Sequence, residues 1–251
     1  DNAFEANTNL KLLVMRRDDA LRTIGEEAFI DCENRHDVKF SSALANEAVT
    51  LGKNALNNTG FVTIGDEDAQ FELNAAKFDA NAGYVFTNMK KLTNVHIPDN
   101  FNGGVVPEGT FANAAELKEV TVAPNVDSIK NAAFANDNKL ERIILWGDTI
   151  IEDSSLTGYT APTRSAVTSI SGPTVPASTN IYAYTGAKAE AYASARSGEG
   201  KFYPLDEVVY ITTDKYRITQ PTIEDFDGDV TVYALRRDGI VMESDKWGEF
   251  D

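Results

Sequence analysis

The 251-residue sequence contains one cysteine, two histidines, no long apolar run and too little positive charge to balance its acids. With Cys32 alone no intramolecular disulfide can form, and a chain of this length can bury enough surface to fold without one. Cys32, His36 and His96 together cannot supply a zinc site built from four cysteines or from two cysteines and two histidines. The longest apolar stretches, such as Ile143-Ile144-Leu145-Trp146, are strand-sized and far short of the roughly 20 residues of a transmembrane helix. Lys and Arg number 23 against 39 Asp and Glu, a formal net charge of −16. Nucleic-acid binding draws its affinity from cations that neutralise phosphates. Basic residues cluster here only as pairs (Arg16-Arg17, Lys90-Lys91, Arg236-Arg237), so neither nucleic acid nor a bare anionic membrane is expected as a partner. A basic protein, a neutral glycan or a metal-bridged ligand is compatible with this surface.

Catalytic signatures are missing too. There is no Gly-x-Ser-x-Gly nucleophile elbow and no phosphate-cradling Gly-x-x-x-x-Gly-Lys-Ser/Thr loop; Gly103-Gly104 reads as an isolated turn. Asp225-Phe226-Asp227-Gly228-Asp229 opens like a calcium loop, but Val230 and Arg236 stand where an EF-hand carries its glycine and closing glutamate. It reads as a solvated acidic turn, as does Asp66-Glu67-Asp68. Carboxylate pairs suited to glycoside hydrolysis can be picked at will from 39 acids and therefore select nothing. Neither catalytic residues, nor metal ligands, nor a cofactor are expected.

What the sequence does contain is self-similarity. Gly109-Thr110-Phe111 leads through Asn113 to Leu117, Val120 and Val122, and Ala132-Ala133-Phe134 leads through Asn136 to Leu140, Ile143 and Leu145. An aromatic anchor is followed by apolar residues six, nine and eleven positions later. Phe86 leads in the same way to Leu92, Val95 and Ile97, Phe4 to Leu10, Leu13 and Met15, and Phe29 to Val38 and Phe40. Anchors at 4, 29, 56, 86, 111 and 134 are spaced 25, 27, 30, 25 and 23 residues apart, mostly within the roughly 20–29 residues of leucine-rich repeats. Positions nine and eleven alternate with polar ones, the period of a short strand with one buried face. Such strands cannot bury that face alone, so copies stack into a parallel ladder over one continuous core. The anchor belongs to a short helical or turn segment behind the ladder. A further apolar position (Ile24, Leu51, Val106, Ile129, Ile150) closes each coil.

The spacing thus predicts an α/β leucine-rich-repeat solenoid, right-handed and of about six coils, in which a parallel strand ladder is joined by short helices or turns. Residues 1–150 are the coils. Residues 151–204 are a degraded coil rich in Ser, Thr, Pro and Gly, followed by a capping helix near Ala187–Arg196 with Ala187, Ala191 and Ala195 on one face. Residues 205–251 hold β-prone runs and form a small C-terminal β segment, either an antiparallel sheet packed on the end of the solenoid or a truncated module. Three departures stand out. Arg35 replaces a core leucine, Leu56 replaces the anchor aromatic, and residues 65–82 do not align and are expected to form an inserted loop or an irregular coil.

The run Ile24-Gly25-Glu26-Glu27-Ala28-Phe29-Ile30-Asp31-Cys32-Glu33-Asn34 and the strand Val95-His96-Ile97-Pro98 resemble the BspA-like leucine-rich repeats of bacterial surface proteins. Gly172-Pro173-Thr174-Val175-Pro176 with the segment to Tyr192 resembles the element that closes such arrays. The resemblance covers roughly residues 1–205. It implies a secreted or surface interaction protein and places Cys32 at the family's small buried position. The chain opens in mid-repeat, and its natural N-terminus is expected to have been removed.

Outward residues of successive strands line up into one surface, and solenoids bind through such faces. Positions eight, ten and twelve after each anchor give Leu12, Val14, Asp37, Lys39, Asn94, His96, Glu119, Thr121, Arg142, Ile144 and Trp146. Ile144 and Trp146 are large apolar residues of the kind that anchor interfaces, unless the C-terminal segment folds back over them. His96 reads either as an ordinary exposed residue or as a ligand contact. The leading expectation is a non-catalytic binding or adhesion module for a protein or glycoprotein, host extracellular matrix included. Two alternatives are a structural spacer presenting the C-terminal module, and an ancillary domain of a glycan-degrading system.

Overall fold

The computed structural model describes residues 1–9, 23–32, 49–65, 69–73, 76–79, 82–99, 101–155 and 172–205. It also describes the backbone of the strands Val209–Thr213, Tyr216–Thr219, Val232–Leu235 and Val241–Ser244. The anticipated coil positions Leu10, Leu12, Leu13, Val14, Met15, Arg35, Val38 and Phe40 lie outside the described residues. So do His36, Asp66–Asp68 and Asp225–Asp229.

Alternation of buried and outward residues produces the front ladder. Asn94–Ile97, Glu119–Val122 and Arg142–Leu145 pair in parallel with Val95, Val120 and Ile143 in register, as are Ile97, Val122 and Leu145, all inward and fully or almost fully buried. Asn180–Ala183 and Phe202–Pro204 continue the sheet on one side, and Thr63–Gly65 and Phe71–Glu72 on the other, giving seven strands. The closing apolar positions build a second, back ladder in two parts. Thr23–Ile24, Val49–Leu51 and Ala76–Phe78 form one part, and Val105–Val106, Ser128–Ile129 and Ile150–Ile151 the other. In the last coil the buried equivalent of Ile129 is Ile151, not Ile150 as the spacing suggested. Where the two parts meet, the Asn102 side chain in the turn Phe101–Gly104 accepts the Phe78 N–H at 3.1 Å.

The anchors stand in turns, not helices, and the turns make a third ladder. Each anchor N–H donates to the carbonyl of the residue before the next anchor: Phe86 to Thr110 at 3.0 Å, Phe111 to Ala133 at 2.9 Å, Phe134 to Thr174 at 3.0 Å. The residues two before and two after every anchor from 4 to 134 have φ between 52 and 66°. Left-handed backbone costs an ordinary residue roughly 1–2 kcal/mol, and Gly, Asn and Asp tolerate it best. Six of these twelve positions are asparagine, one is Asp31 and one is Gly109. At Gly109 a Cβ would also stand 2.3 Å from the Tyr84 ring, so only glycine fits. The asparagines bond from coil to coil, Asn136 Nδ2 to Asn113 Oδ1 and Asn113 Nδ2 to Asn88 Oδ1, each at 2.9 Å.

Inside the three ladders the anchor rings stack, Phe86 on Phe111 at 5.5 Å and Phe111 on Phe134 at 5.6 Å between centroids. Of the two expectations for residues 65–82, the described residues fit an irregular coil that contributes to the core. Phe71 packs edge-on against Phe86 at 5.1 Å and Phe78 against Phe101 at 5.2 Å, and Leu73 is fully buried.

The segment expected as a degraded coil continues the ladders. Its anchor is Val175, followed by the strand Asn180–Ala183 and the helix Lys188–Ala195. The helix does cover the last coil, but with a different face from the one expected. Ala189 and Tyr192 are buried, whereas Ala191 and Ala195 are exposed. The Tyr192 hydroxyl explains the choice, because it needs a partner once buried. It donates to Asp153 Oδ2 at 2.7 Å and accepts the Val175 N–H at 3.3 Å, and burial beside Asp153 pushes its pKa upward. Arg196 lies over the same ring at 5.6 Å and donates to the carbonyls of Pro176 and Thr179. At the helix start Asp148 accepts the Lys188 N–H at 2.8 Å, and the Lys188 ammonium holds its carboxyl below the usual range.

The C-terminal strands form a separate antiparallel sheet in the order Tyr216–Thr219, Val209–Thr213, Val232–Leu235, Val241–Ser244.

Candidate functional site

The parallel register puts the outward residues of the front ladder into rows. One row reads Thr63, Asn94, Glu119, Arg142 and Asn180. The next reads His96, Thr121, Ile144, Tyr182 and Tyr203, with Gly65 at its head beside His96. Of the expected face residues, Asn94, His96, Glu119, Thr121, Arg142, Ile144 and Trp146 come together on this surface. Asp37 and Lys39 lie outside the described residues.

The two ends of the face differ in chemistry. Towards the N-terminal coils it is polar and hydrogen-bonded. Thr121 Oγ1 and His96 Nδ1 are 2.7 Å apart, and the Arg142 guanidinium pairs with the Glu119 carboxylate one strand away. Both members of that pair are half-buried, so solvent screening leaves it as a positioning contact more than a source of stability. A cavity of about 320 Å³ opens here, with Thr63, Gly65, Asn94, His96, Glu119 and Thr121 on its walls. Gly65 makes the hollow possible: a Cβ there would stand 2.8 Å from the His96 Cβ.

Towards the C-terminal coils the same face is apolar. Ile144, Tyr182 and Leu205 form a second cluster, against which Trp146, Tyr184 and Tyr203 pack. The rings of Tyr182 and Tyr203 stack at 4.9 Å with 15° between their planes. Ile144 points outward as the alternation requires, yet it is only 8% exposed, Tyr182 9% and Leu205 2%. Of the two readings the sequence left for Ile144, an open anchor or a covered residue, the structure has it buried, and Trp146 is half-buried beside it. Tyr182, Tyr184, Tyr203, Asn180 and Gly65 escaped the sequence reading. Superposing Asn180-Ile181-Tyr182 on Arg142-Ile143-Ile144 would have placed Tyr182 beside Ile144, since the alternation is the same.

Among the described residues no three His, Cys, Asp or Glu side chains come close enough to hold a metal ion. Among them, too, no helix is long and apolar enough to cross a membrane. Cys32 is buried, its thiol 3.1 Å from the Phe4 carbonyl oxygen it donates to. Asp137 occupies the equivalent place three residues after Phe134. Burial raises its pKa well above the carboxylate range, against the lowering effect of the Ala114 N–H donated to Oδ1 at 2.7 Å.

Comparison with known proteins agrees with the coil architecture. Six copies of the BspA type leucine-rich repeat region match, over residues 1–141 and 82–170. The chain belongs to the BspA-type leucine-rich-repeat family. Membership of this family suggests a repeat-based interaction module. Among solved structures the chain is similar to a leucine-rich repeat protein from Bacteroides ovatus ATCC 8483. That match has 12% identity and a TM-score of 0.36, and covers 80% of this chain and 79% of the other. No curated protein matches it.

Proposed function

We propose that this BspA-type solenoid is a non-catalytic surface or secreted module that binds a protein or glycoprotein through the front ladder. The observation that carries the reading is the in-register polar surface around the cavity, where Asn94, His96, Glu119, Thr121 and Arg142 stand in adjacent rows. Strand spacing of about 4.8 Å repeats these groups at the separation of neighbouring contacts on an extended ligand. Held by backbone ladders on both sides, they lose little conformational entropy on binding. The net charge of −16 favours a basic or neutral partner over an acidic one.

The test is a solid-phase screen of the purified chain against extracellular-matrix proteins and a glycan array, with His96→Ala/Thr121→Ala/Arg142→Ala alongside. Binding that the triple change abolishes supports the front ladder as the site. Full binding by the triple variant refutes it. A blank on both panels would turn attention to the chain as a spacer for its C-terminal sheet.

A further inference from the structure

The apolar end of the front ladder presents a contradiction that the solenoid itself does not resolve. Ile144, Tyr182 and Leu205 face away from the core, yet they are 2–9% exposed. Trp146, Tyr184 and Tyr203 pack against them and are themselves only partly exposed, which points to a further layer over the cluster.

The C-terminal sheet has the opposite need. Its cross-strand pairs put Val209 with Ala234, Ala234 with Met242, Ile211 with Val232, and Ile211 with Ile218. Paired residues share a face, so Val209, Ile211, Ile218, Val232, Ala234 and Met242 all fall on one side. The same side also carries Thr213, Tyr216 and Ser244, and the other carries Tyr210, Thr212, Arg217, Thr219, Tyr233, Leu235, Val241 and Glu243, so the aliphatic residues are concentrated on the first. A sheet spanning residues 209–244 is smaller than the roughly 40 residues that usually fold without staples or a partner. The more apolar face of so small a sheet needs cover. The connection is short: Leu205, itself a member of the solenoid's outer cluster, is followed by Val209 after three residues.

We infer that the C-terminal sheet packs the Val209, Ile211, Ile218, Val232, Ala234 and Met242 face onto the apolar end of the front ladder, over Ile144, Tyr182 and Leu205. The sheet is then not an appendage at the end of the solenoid but a second layer on its strand face. It lies over Ile144, Tyr182 and Leu205 and leaves the polar surface of His96, Glu119 and Arg142 uncovered. The inference does not depend on what the cavity binds.

The full-length chain tests it in two ways. Backbone amide 15N relaxation should give residues 209–244 the same rotational correlation time as residues 101–155; a distinctly shorter time for the C-terminal strands overturns the proposal. The sequence has two tryptophans, so Trp247→Phe leaves Trp146 as sole reporter. In that background Ile218→Asp should raise acrylamide quenching of Trp146 at least twofold and shift its emission to the red, while Thr212→Asp, on the opposite face, should leave both unchanged. Because Ile218→Asp could unfold the small sheet, the relaxation measurement on the unaltered strands stands independently. Trp146 unaffected by Ile218→Asp, or affected equally by Thr212→Asp, overturns the face assignment even if the two parts tumble together.

Discussion

The coils of Phe86, Phe111 and Phe134 and the coil of Leu56 enclose the same kind of core by different means. In the first group one ring per coil stacks on the next, and 23–25 residues complete each circuit. In the second the anchor is aliphatic and 30 residues separate it from the next. Those extra residues deliver Phe61, Phe71 and Phe78, whose rings meet one another or Phe86 edge-on. The short strand Phe71–Glu72 then lies on the N-terminal side of Thr63–Gly65, so the chain places a later strand behind an earlier one. The repeat therefore constrains the volume inside the ladders more tightly than the position in sequence of the residue that fills it.

The ring column is where the contrast is most exposed to test. Phe111→Ala should cost about 3–5 kcal/mol in chemical denaturation, as for other large aromatic deletions in a core. Phe71→Ala should cost a similar amount, because Phe71 is as deeply buried. A loss below about 1 kcal/mol at Phe71 would return residues 65–82 to the status of a surface insertion. Leu56→Phe would restore the family's anchor but should destabilise by about 1–3 kcal/mol, since rings from the insertion already fill the space around Phe86. A stabilising result there would mean that the aromatic column had simply been left open.

Asn113→Ala removes both amide links of one turn and the side chain that suits its φ of 63°. It should cost about 1–2 kcal/mol, whereas Asn7→Ala, exposed and with its Oδ1 accepting the Asn9 N–H within the same turn, should cost about 0.5 kcal/mol or less. One change has the opposite sign. Asp137 binds its proton more tightly folded than unfolded, so its contribution to stability falls as pH rises from the ordinary carboxylate range through its raised folded pKa. Asp137→Asn should therefore raise the melting temperature at pH 7, and the gain should vanish near pH 3. An equal gain at both pH values would show that charge burial is not the cause.

Most of the architecture was legible because it rests on inward residues with a fixed spacing, and Phe86, Leu92, Val95 and Ile97 can be recognised wherever they recur. The expected anchors, strands and family are all found in the described coils. The insertion was opaque because Phe71 and Phe78 reach the core from an unrepeated spacing. The helix face was misjudged because alanine spacing alone ignored Tyr192, the one large side chain that had to be buried. On the front ladder alternation gave the outward positions of Asn94, His96, Glu119, Thr121 and Arg142. For Ile144 the sequence left both an open anchor and a covered residue in play, because alternation gives the direction of a side chain and not what lies over it.

The stepwise arrangement of coils also shapes how the molecule comes apart. Most backbone contacts between neighbouring coils span about one repeat, so structure can grow or melt one coil at a time along the axis. From Phe86 to Val175 successive coils present matching edges, and a front of folding can pass along them without rearrangement. At Phe71–Glu72 it meets a strand that must be laid down behind one already in place. Hydrogen exchange under mild denaturant should therefore split the solenoid there, with amides of residues 84–155 protected as one cooperative block and those of residues 49–79 opening at lower free energy.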